Sequence, residues 1–315
     1  MLANGVLPVD KPIGITSRRA VALVGSVLGA SKAGHCGTLD PLATGVLVVC
    51  LGRATLLAGY LTAEHKTYEV EILFGLETDT YDILGEIVDA RPIGGISERR
   101  VLRVLPEFVG ELPQAPPAYS AVKRHGRPLY WYAREGRPVE AEPRKVSIDF
   151  IELVSFDIVS GVASAGLRIG CGPGTYIRSI VHDIGKLVGC GACVTGLRRT
   201  RSGQFGERDC VSLVDIIASG GTSGLDAIRT LEQATERMPT LVLDEEGVVS
   251  IGYGKPLESR WVAGEGRDGV LTEPTRLLDA DGKLMAIYGS PRPDDDVGVI
   301  GRARRVIRPA GGVEA

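Results

Sequence analysis

Six consecutive apolar residues, Val46–Leu51, stand between Gly45 and Gly52. The run is far shorter than the roughly 20 residues a membrane span requires, and the flanking glycines keep it from extending into a long helix, so Val46–Cys50 reads as a buried strand. A second segment constrains the chain in the same direction. In Thr67-Tyr-Glu-Val-Glu-Ile-Leu-Phe74, Tyr68, Val70, Ile72 and Phe74 share one strand face while Glu69 and Glu71 take the other. With 315 residues, 44% of them hydrophobic, the chain has material for one large domain and a small one.

Helices are expected between such strands. Ser17 is placed to cap one over Arg18–Leu28, with Val21, Val24 and Leu28 on one face and Gly29 ending it. Further helices are expected over Ala54–Leu61, from Ser97 with Val101, Leu105 and Phe108 inward, over Thr175–Val188 with Ile177, Ile180, Val181, Ile184 and Leu187 buried, and over Leu225–Glu236. Val146–Val159 and Ala163–Cys171 read as paired strands, which gives α+β ordering rather than alternating βαβ units. After Met238-Pro239 the strands are short. Asp281-Gly282 between two apolar runs is a hairpin signal, so a small β-rich C-terminal domain is expected over about 239–310, joined by a linker.

The 36 Lys+Arg against 39 Asp+Glu give a formal net charge of −3, which conceals local polarity. From Lys123 to Lys145 seven basic residues face three glutamates, with Tyr130, Trp131 and Tyr132 interleaved, and Leu197-Arg-Arg-Thr-Arg201 adds a second basic cluster. The first of these follows the breaker Pro113–Pro117 and reads as a mobile arm. The N-terminal MLANGVLPVDKP has neither a basic region nor a long apolar core, so no secretory signal is expected and the cytoplasm is the expected location.

Several chemistries lack their residues. The six cysteines are scattered among small or apolar neighbours and fit reduced core thiols, and Cys190-Gly-Ala-Cys193 has no second ligand pair at zinc spacing. His35, His65, His125 and His182 form no metal-ligand spacing, and His182-Asp183 reads as surface or structural. Gly172-Pro-Gly-Thr-Tyr-Ile-Arg178 is rich in glycine but has no GK[ST] and no ribose-binding acid, which argues against a nucleotide cofactor. Ser120 has no nucleophile-elbow context.

Asp40 stands out by contrast, as a single acid among Gly37, Thr38, Ala43, Thr44 and Gly45, directly before Pro41. Asp-Pro alone is a common turn or cap signal, but a turn needs no such run of small residues, whereas close approach of a ligand backbone does. Arg178 lies early in a helix whose inward residues are apolar; periodicity leaves open whether it faces water or is buried against a carboxylate.

The stretch GHCGTLDPLATGVLVVCLG, Gly34 to Gly52, closely resembles the catalytic motif of the TruB-type tRNA pseudouridine-55 synthases. The likeness continues in order through VDKPIGITS at Val9–Ser17, KTYEVEILFGLETDTYDILGEI at Lys66–Ile87, PPAYSAVKRHGRPLYWYAREG at Pro116–Gly136 and CGPGTYIRSIVHDIGKLVGCGACVTGLRRTRSGQF at Cys171–Phe205. It covers nearly all of residues 5–215, and Cys36, at a position often filled by Thr, is a small departure. The C-terminal part resembles only loosely the family's PUA-like RNA-binding appendage.

The resemblance implies a pseudouridine-synthase fold: a central mixed, largely antiparallel sheet flanked by helices over residues 1–236, an RNA-clamping insertion near 113–145, and a small PUA-like β domain over 239–310. It implies Asp40 as the catalytic carboxylate, Tyr68 as the aromatic that stacks on the target base, and Arg178 as the partner of Asp40. His35 matches a histidine that helps extrude the base, and Leu197 an apolar residue near the pocket. Tyr176, Lys123, Arg124, Arg127, Arg198 and Arg199 are the further residues assigned to RNA contact. The implied partner is the T arm of tRNA, with no cofactor, no metal, no membrane and no required protein partner, the protein acting as a monomer. Moving C1′ from N1 to C5 of uridine involves no redox change and no group donor, so one ionised carboxylate suffices. Two rivals remain in view: a non-catalytic RNA-binding or RNA-folding protein of the same fold, and a phosphate-cofactor or acyl-transfer enzyme using Asp40.

Overall fold

The computed structural model describes residues 3–264, 269–296 and 298–308, so the expected domain limits 1 and 310 lie outside the described residues. Thr44–Leu51 runs near the centre of a ten-stranded sheet. Its neighbours are Gly5–Lys11, antiparallel, and Ala192–Ser202, parallel; the order then continues through Lys66–Phe74, Val162–Cys171, Arg144–Val159 and Gly110–Gln114, each antiparallel to the last. Val211–Ser212 closes the other edge, parallel to Gly5–Lys11. The sheet is therefore mixed and largely antiparallel, and with its flanking helices the fold is α+β.

Burial on both faces explains the unbroken apolar run. Leu47, Val49 and Leu51 point into a core shared with the helices Ser17–Val27 and Ile177–Val188, through Ala20, Val24, Ile180 and Ile184. Val46, Val48 and Cys50 point into a second core with Ala54, Leu57 and Leu61, which also takes in Leu284, Ile287 and Ile307. These last residues belong to or follow a six-stranded sheet formed by strands between Thr240 and Val306, and the hairpin around Asp281-Gly282 joins two of its strands, Thr275–Leu278 and Leu284–Gly289. The C-terminal sheet is thus packed against the back of the central strand.

Several local expectations shift by a turn. Thr16, not Ser17, caps the first helix, its Oγ1 accepting from Arg19 N at 3.1 Å. The helix expected from Thr175 starts at Ile177, because Thr175 Oγ1 instead donates to the Gly172 carbonyl at 3.0 Å and closes a turn. Leu187 is 47% exposed, since the buried stripe passes from Ile184 to Val188. Ala54–Leu61 begins as a 3₁₀ turn, Gly52–Leu57, before the short α-helix Ala58–Thr62. Leu225–Glu236 is not one helix but two, Thr222–Asp226 and Leu231–Ala234. Between them Arg229 exchanges main-chain hydrogen bonds with Val6 in both directions, at 2.8 and 2.9 Å, a long-range pairing that local propensity does not register.

The basic segment is more regular than its composition suggests. Lys123–Arg124 and Arg127–Pro128 form a small hairpin, followed by the helix Leu129–Arg134, and Leu129 is 1% exposed. Its aromatics serve its own cations: the Arg127 guanidinium lies 4.0 Å from the Trp131 ring centroid and that of Arg134 5.5 Å from Tyr130.

Candidate active site around Asp40

Asp40 sits in the loop between Ala33–His35 and Thr44–Leu51, and the Val9–Ser17 segment pins that loop. Ser17 Oγ both donates to the Leu39 carbonyl, at 2.9 Å, and accepts from Leu39 N, at 2.8 Å. On the other side of Asp40, Gly14 N donates to Pro41 O at 2.8 Å. Lys11 is fully buried, its Nζ donating to the carbonyls of Pro12 and Ile15 at 2.9 Å each. Burial lowers its pKa to about 8, against the pull of the Asp40 carboxylate and with a smaller push from Arg199 in the same direction.

Arg178 is buried, in the first turn of its helix. Its Nε donates to Asp40 Oδ2 at 2.9 Å, Nη1 to the Thr80 carbonyl at 2.6 Å and Nη2 to the Tyr119 carbonyl at 3.1 Å, while Nη1 lies 3.6 Å from Asp82 Oδ2. The guanidinium is therefore held between two carboxylates of different character. Asp40 keeps 35% of its side-chain surface and Asp82 only 8%. Asp40 is the one of the pair that an incoming molecule reaches.

Asp82 was not distinguishable in the sequence from the other acids of Leu76–Asp89. Its role depends on the turn after Leu76–Thr78, in which Tyr81 has φ +62° and stacks on His182 with ring centroids 3.9 Å apart. His182 is thus structural and buried, and burial lowers its pKa to about 4.

Tyr68 is 8% exposed, on the inward face expected of it. Burial raises the pKa of its hydroxyl, with the Arg199 guanidinium beside it pulling the other way, so the phenol is neutral at pH 7. Tyr176 precedes the Arg178 helix; burial raises its pKa too, Ser120 of the arm lies against it, and the charge of Asp40 acts on it. Leu197 is buried opposite Val70 on the neighbouring strand. His35 is half-buried, and burial, then Arg199 and Arg18, lower its pKa, leaving the ring neutral at pH 7.

The basic residues divide. Arg199 is 1% exposed, with Nε donating to Val46 O at 2.7 Å and Nη2 to Gly37 O at 3.0 Å, so it braces the floor of the site and does not present its charge to phosphates. Arg198 is tied to Asp10 and Glu207. Lys123, Arg124 and Arg127 lie in the arm hairpin, where Arg124 bonds the Glu140 carbonyl.

The small residues of the motif also divide. A Cβ on Gly45, which has φ +94°, would meet Arg199 O at 2.2 Å, so this glycine serves the approach of two protein strands rather than room for a ligand. All six cysteines are free and five are buried, with Cys36 and Cys50 sulfurs 3.3 Å apart. Among the described residues no group of three or more His, Cys, Asp or Glu converges on a point where a metal ion could sit, and no helix is long and apolar enough to cross a membrane.

A model of the TruB family pseudouridylate synthase N-terminal domain matches residues 26–177, and one of the tRNA pseudouridylate synthase B C-terminal domain matches 178–228. A Pelotomaculum thermopropionicum protein named tRNA pseudouridine synthase B is 40% identical over 297 residues, 93% of each chain. The chain belongs to the TruB family of pseudouridylate synthases. Its Bordetella pertussis relative, also named tRNA pseudouridine synthase B, is 47% identical over 212 residues, 67% of this chain and 85% of that one. In three dimensions this TruB-family chain is similar to one in a crystal structure of a Cbf5-Nop10-Gar1 complex, with TM-score 0.73 and 28% identity over 97% of this chain and 85% of that one. A chain in an H/ACA RNP bound to a substrate RNA containing 2'-deoxyuridine gives TM-score 0.71 at 26% identity. As a TruB-family enzyme, the protein is an RNA isomerase that makes pseudouridine.

Proposed function

We propose that this enzyme converts uridine-55 in the T arm of tRNA to pseudouridine, with Asp40 as the catalytic carboxylate. The observation that carries the reading is the Arg178–Asp40 contact at 2.9 Å, in which the arginine is buried and the acid is the accessible member. The relatives named tRNA pseudouridine synthase B support tRNA as the substrate.

The N1–C1′ bond breaks, the base turns, C5–C1′ forms, and the proton of C5 is lost while N1 gains one. Asp40 acts ionised, and Arg178 keeps that charge tolerable beside a buried wall. A stacked uridine is out of reach, so the nucleotide is flipped at a cost of a few kcal/mol. Stacking on Tyr68, worth about 1–3 kcal/mol per base, offsets part of that cost, and Leu197 with Tyr176 bounds the pocket. His35, neutral at pH 7, helps extrude the base without adding charge. Residues 1–236 form the catalytic unit, the 113–145 arm grips the RNA through Lys123, Arg124 and Arg127, Arg198 adds a further RNA contact, and the 239–310 unit is a PUA-like RNA-binding appendage. The enzyme acts in the cytoplasm as a monomer.

Incubation with unmodified tRNA, followed by mapping of pseudouridine, tests this reading. Conversion at position 55 is expected from the wild type and none from Asp40→Asn, with RNA affinity nearly intact. Turnover by Asp40→Asn near the wild-type rate, or conversion only at other positions, would refute it.

A further inference from the structure

Four hydrogen bonds join the start of the Arg178 helix to the root of the arm. Tyr176 N donates to Gln114 Oε1 at 2.7 Å, and Gln114 Nε2 donates back to the Tyr176 carbonyl at 3.0 Å. Ser179 Oγ donates to the Ala115 carbonyl at 3.3 Å, and Arg178 Nη2 reaches the Tyr119 carbonyl at 3.1 Å. Gln114 ends the strand Gly110–Gln114, at the start of the 113–145 arm, and its side chain is buried at 3% exposure.

Helix starts are ordinarily held by a short polar side chain at the N-cap. Here the N-cap is Tyr176, which makes no side-chain cap, with the peptide in an extended conformation at φ −97° and ψ 104°. The glutamine carboxamide holds the Tyr176 main chain from outside, bonding the N–H of the peptide group before its Cα and the C=O of the one after it. The Tyr176 carbonyl also accepts from Ile180 N at 3.3 Å, so loss of the carboxamide leaves the carbonyl only that longer bond and deprives the Tyr176 N–H of the Gln114 oxygen.

We propose that Gln114 is a positioning residue for pseudouridine formation: its carboxamide fixes the Tyr176 peptide, and with it the Tyr176 ring and the Arg178 guanidinium facing Asp40, and joins them to the RNA-gripping arm. The proposal rests on the reading of Asp40 as the catalytic carboxylate. Arg178 is two residues beyond the held peptide, so rotation of that peptide moves the guanidinium relative to Asp40, and misplacement on the scale of 1 Å costs about a hundredfold in rate.

Two variants of similar shape test the two hydrogen bonds. Gln114→Met keeps the volume and removes both. Gln114→Glu, when ionised, still accepts from Tyr176 N–H but sets an oxygen against the Tyr176 carbonyl; when protonated, it donates again and restores both bonds. The ionisable groups facing it are Arg144, its cross-strand partner on Arg144–Val159, and Arg178, Tyr176 and Asp40 across the site. Arg144 and Arg178 favour the ionised carboxyl, while burial and Asp40 favour the protonated one.

Single-turnover conversion of unmodified tRNA at saturating enzyme is measured from about pH 5.5 to 8.5 as a ratio to the wild type, with RNA affinity and urea unfolding measured alongside. Gln114→Met is expected to lose on the order of ten- to a hundredfold in rate at every pH, with affinity within about twofold. Gln114→Glu is expected to match that loss at pH 8.5 and to recover toward the wild type as the pH falls. Wild-type rates for both variants overturn the proposal, as does a Gln114→Glu ratio that stays flat and equal to that of Gln114→Met. If Gln114→Glu does not fold, the rate-against-affinity split of Gln114→Met decides alone. A wild-type protein that forms no pseudouridine would instead overturn the functional reading itself.

Discussion

Replacing each acid of the Asp40–Arg178–Asp82 cluster by alanine separates chemistry from stability. Asp40→Ala removes the 2.9 Å contact but leaves Arg178 with the Thr80 and Tyr119 carbonyls and with Asp82 at 3.6 Å. A charge-assisted hydrogen bond contributes about 1.5–3 kcal/mol, and screening at a carboxylate with 35% of its surface exposed reduces this to about 1 kcal/mol. That is well below the roughly 3–5 kcal/mol expected if Arg178 were left without any acid. Asp82→Ala is the costlier change. Arg178 keeps Asp40 at 2.9 Å in that variant, but Asp82 Oδ1 also accepts from Thr80 Oγ1 at 2.8 Å and from Leu84 N at 3.0 Å, and with hydrogen bonds to a charged group contributing about 1.5–3 kcal/mol each before solvent screening, a loss of about 3 kcal/mol is expected. Urea unfolding midpoints of the wild type and both variants, measured beside pseudouridine formation, give the comparison. Asp40→Ala is expected to be inactive and nearly as stable as the wild type, Asp82→Ala much less stable. Destabilisation by Asp40→Ala equal to or larger than that by Asp82→Ala would refute the two-sided support of Arg178.

Charge removal from the arm, Lys123→Ala with Arg124→Ala and Arg127→Ala, is expected to weaken tRNA binding and to flatten its salt dependence by about 0.9 in log–log slope per lost phosphate contact with duplex RNA, taking the duplex DNA value; an unchanged slope in a salt titration means that these side chains do not meet phosphates. Burial lowers the His182 pKa from its ordinary 6.5 to about 4, so the unfolded chain takes up the proton first as pH falls, and stability drops between about pH 6.5 and 4 by up to about 3 kcal/mol. His182→Phe, which retains the stack on Tyr81, should remove that part of the pH dependence in urea unfolding at pH 7 and 4.5. Gly45→Ala combines φ +94° with a Cβ placed 2.2 Å from Arg199 O, and a loss of at least about 3 kcal/mol in unfolding free energy is expected; a variant as stable as the wild type would show that the two strands separate freely there.

Elements whose neighbours in sequence are also their neighbours in space were legible from the chain alone. Alternation put Tyr68 on the inward face of Lys66–Phe74, the glycine-bounded apolar run foretold a buried strand, and an isolated acid among small residues marked Asp40. Period and contrast are properties of a short window, and burial follows from them. What no window contains is who meets whom across the fold. Asp40 and Arg178 are 138 residues apart, Tyr176 and Gln114 62 apart, and Ser17 and Leu39 22 apart. The same limit applies to Leu225–Glu236, broken by the pairing of Arg229 with Val6, and to Arg199, a basic residue in a basic cluster that the parallel pairing of Ala192–Ser202 with Thr44–Leu51 carries into the interior. Charged side chains lie near water unless the fold supplies partners, and for Arg178 and Arg199 most of those partners are backbone carbonyls, which every residue carries and which no sequence pattern marks. The sequence alone therefore marked Asp40, Tyr68 and Arg178 as candidates, and the tertiary structure decided which charges of the cluster are turned inward, those of Arg178, Asp82 and Arg199, and which one, that of Asp40, is left open to solvent.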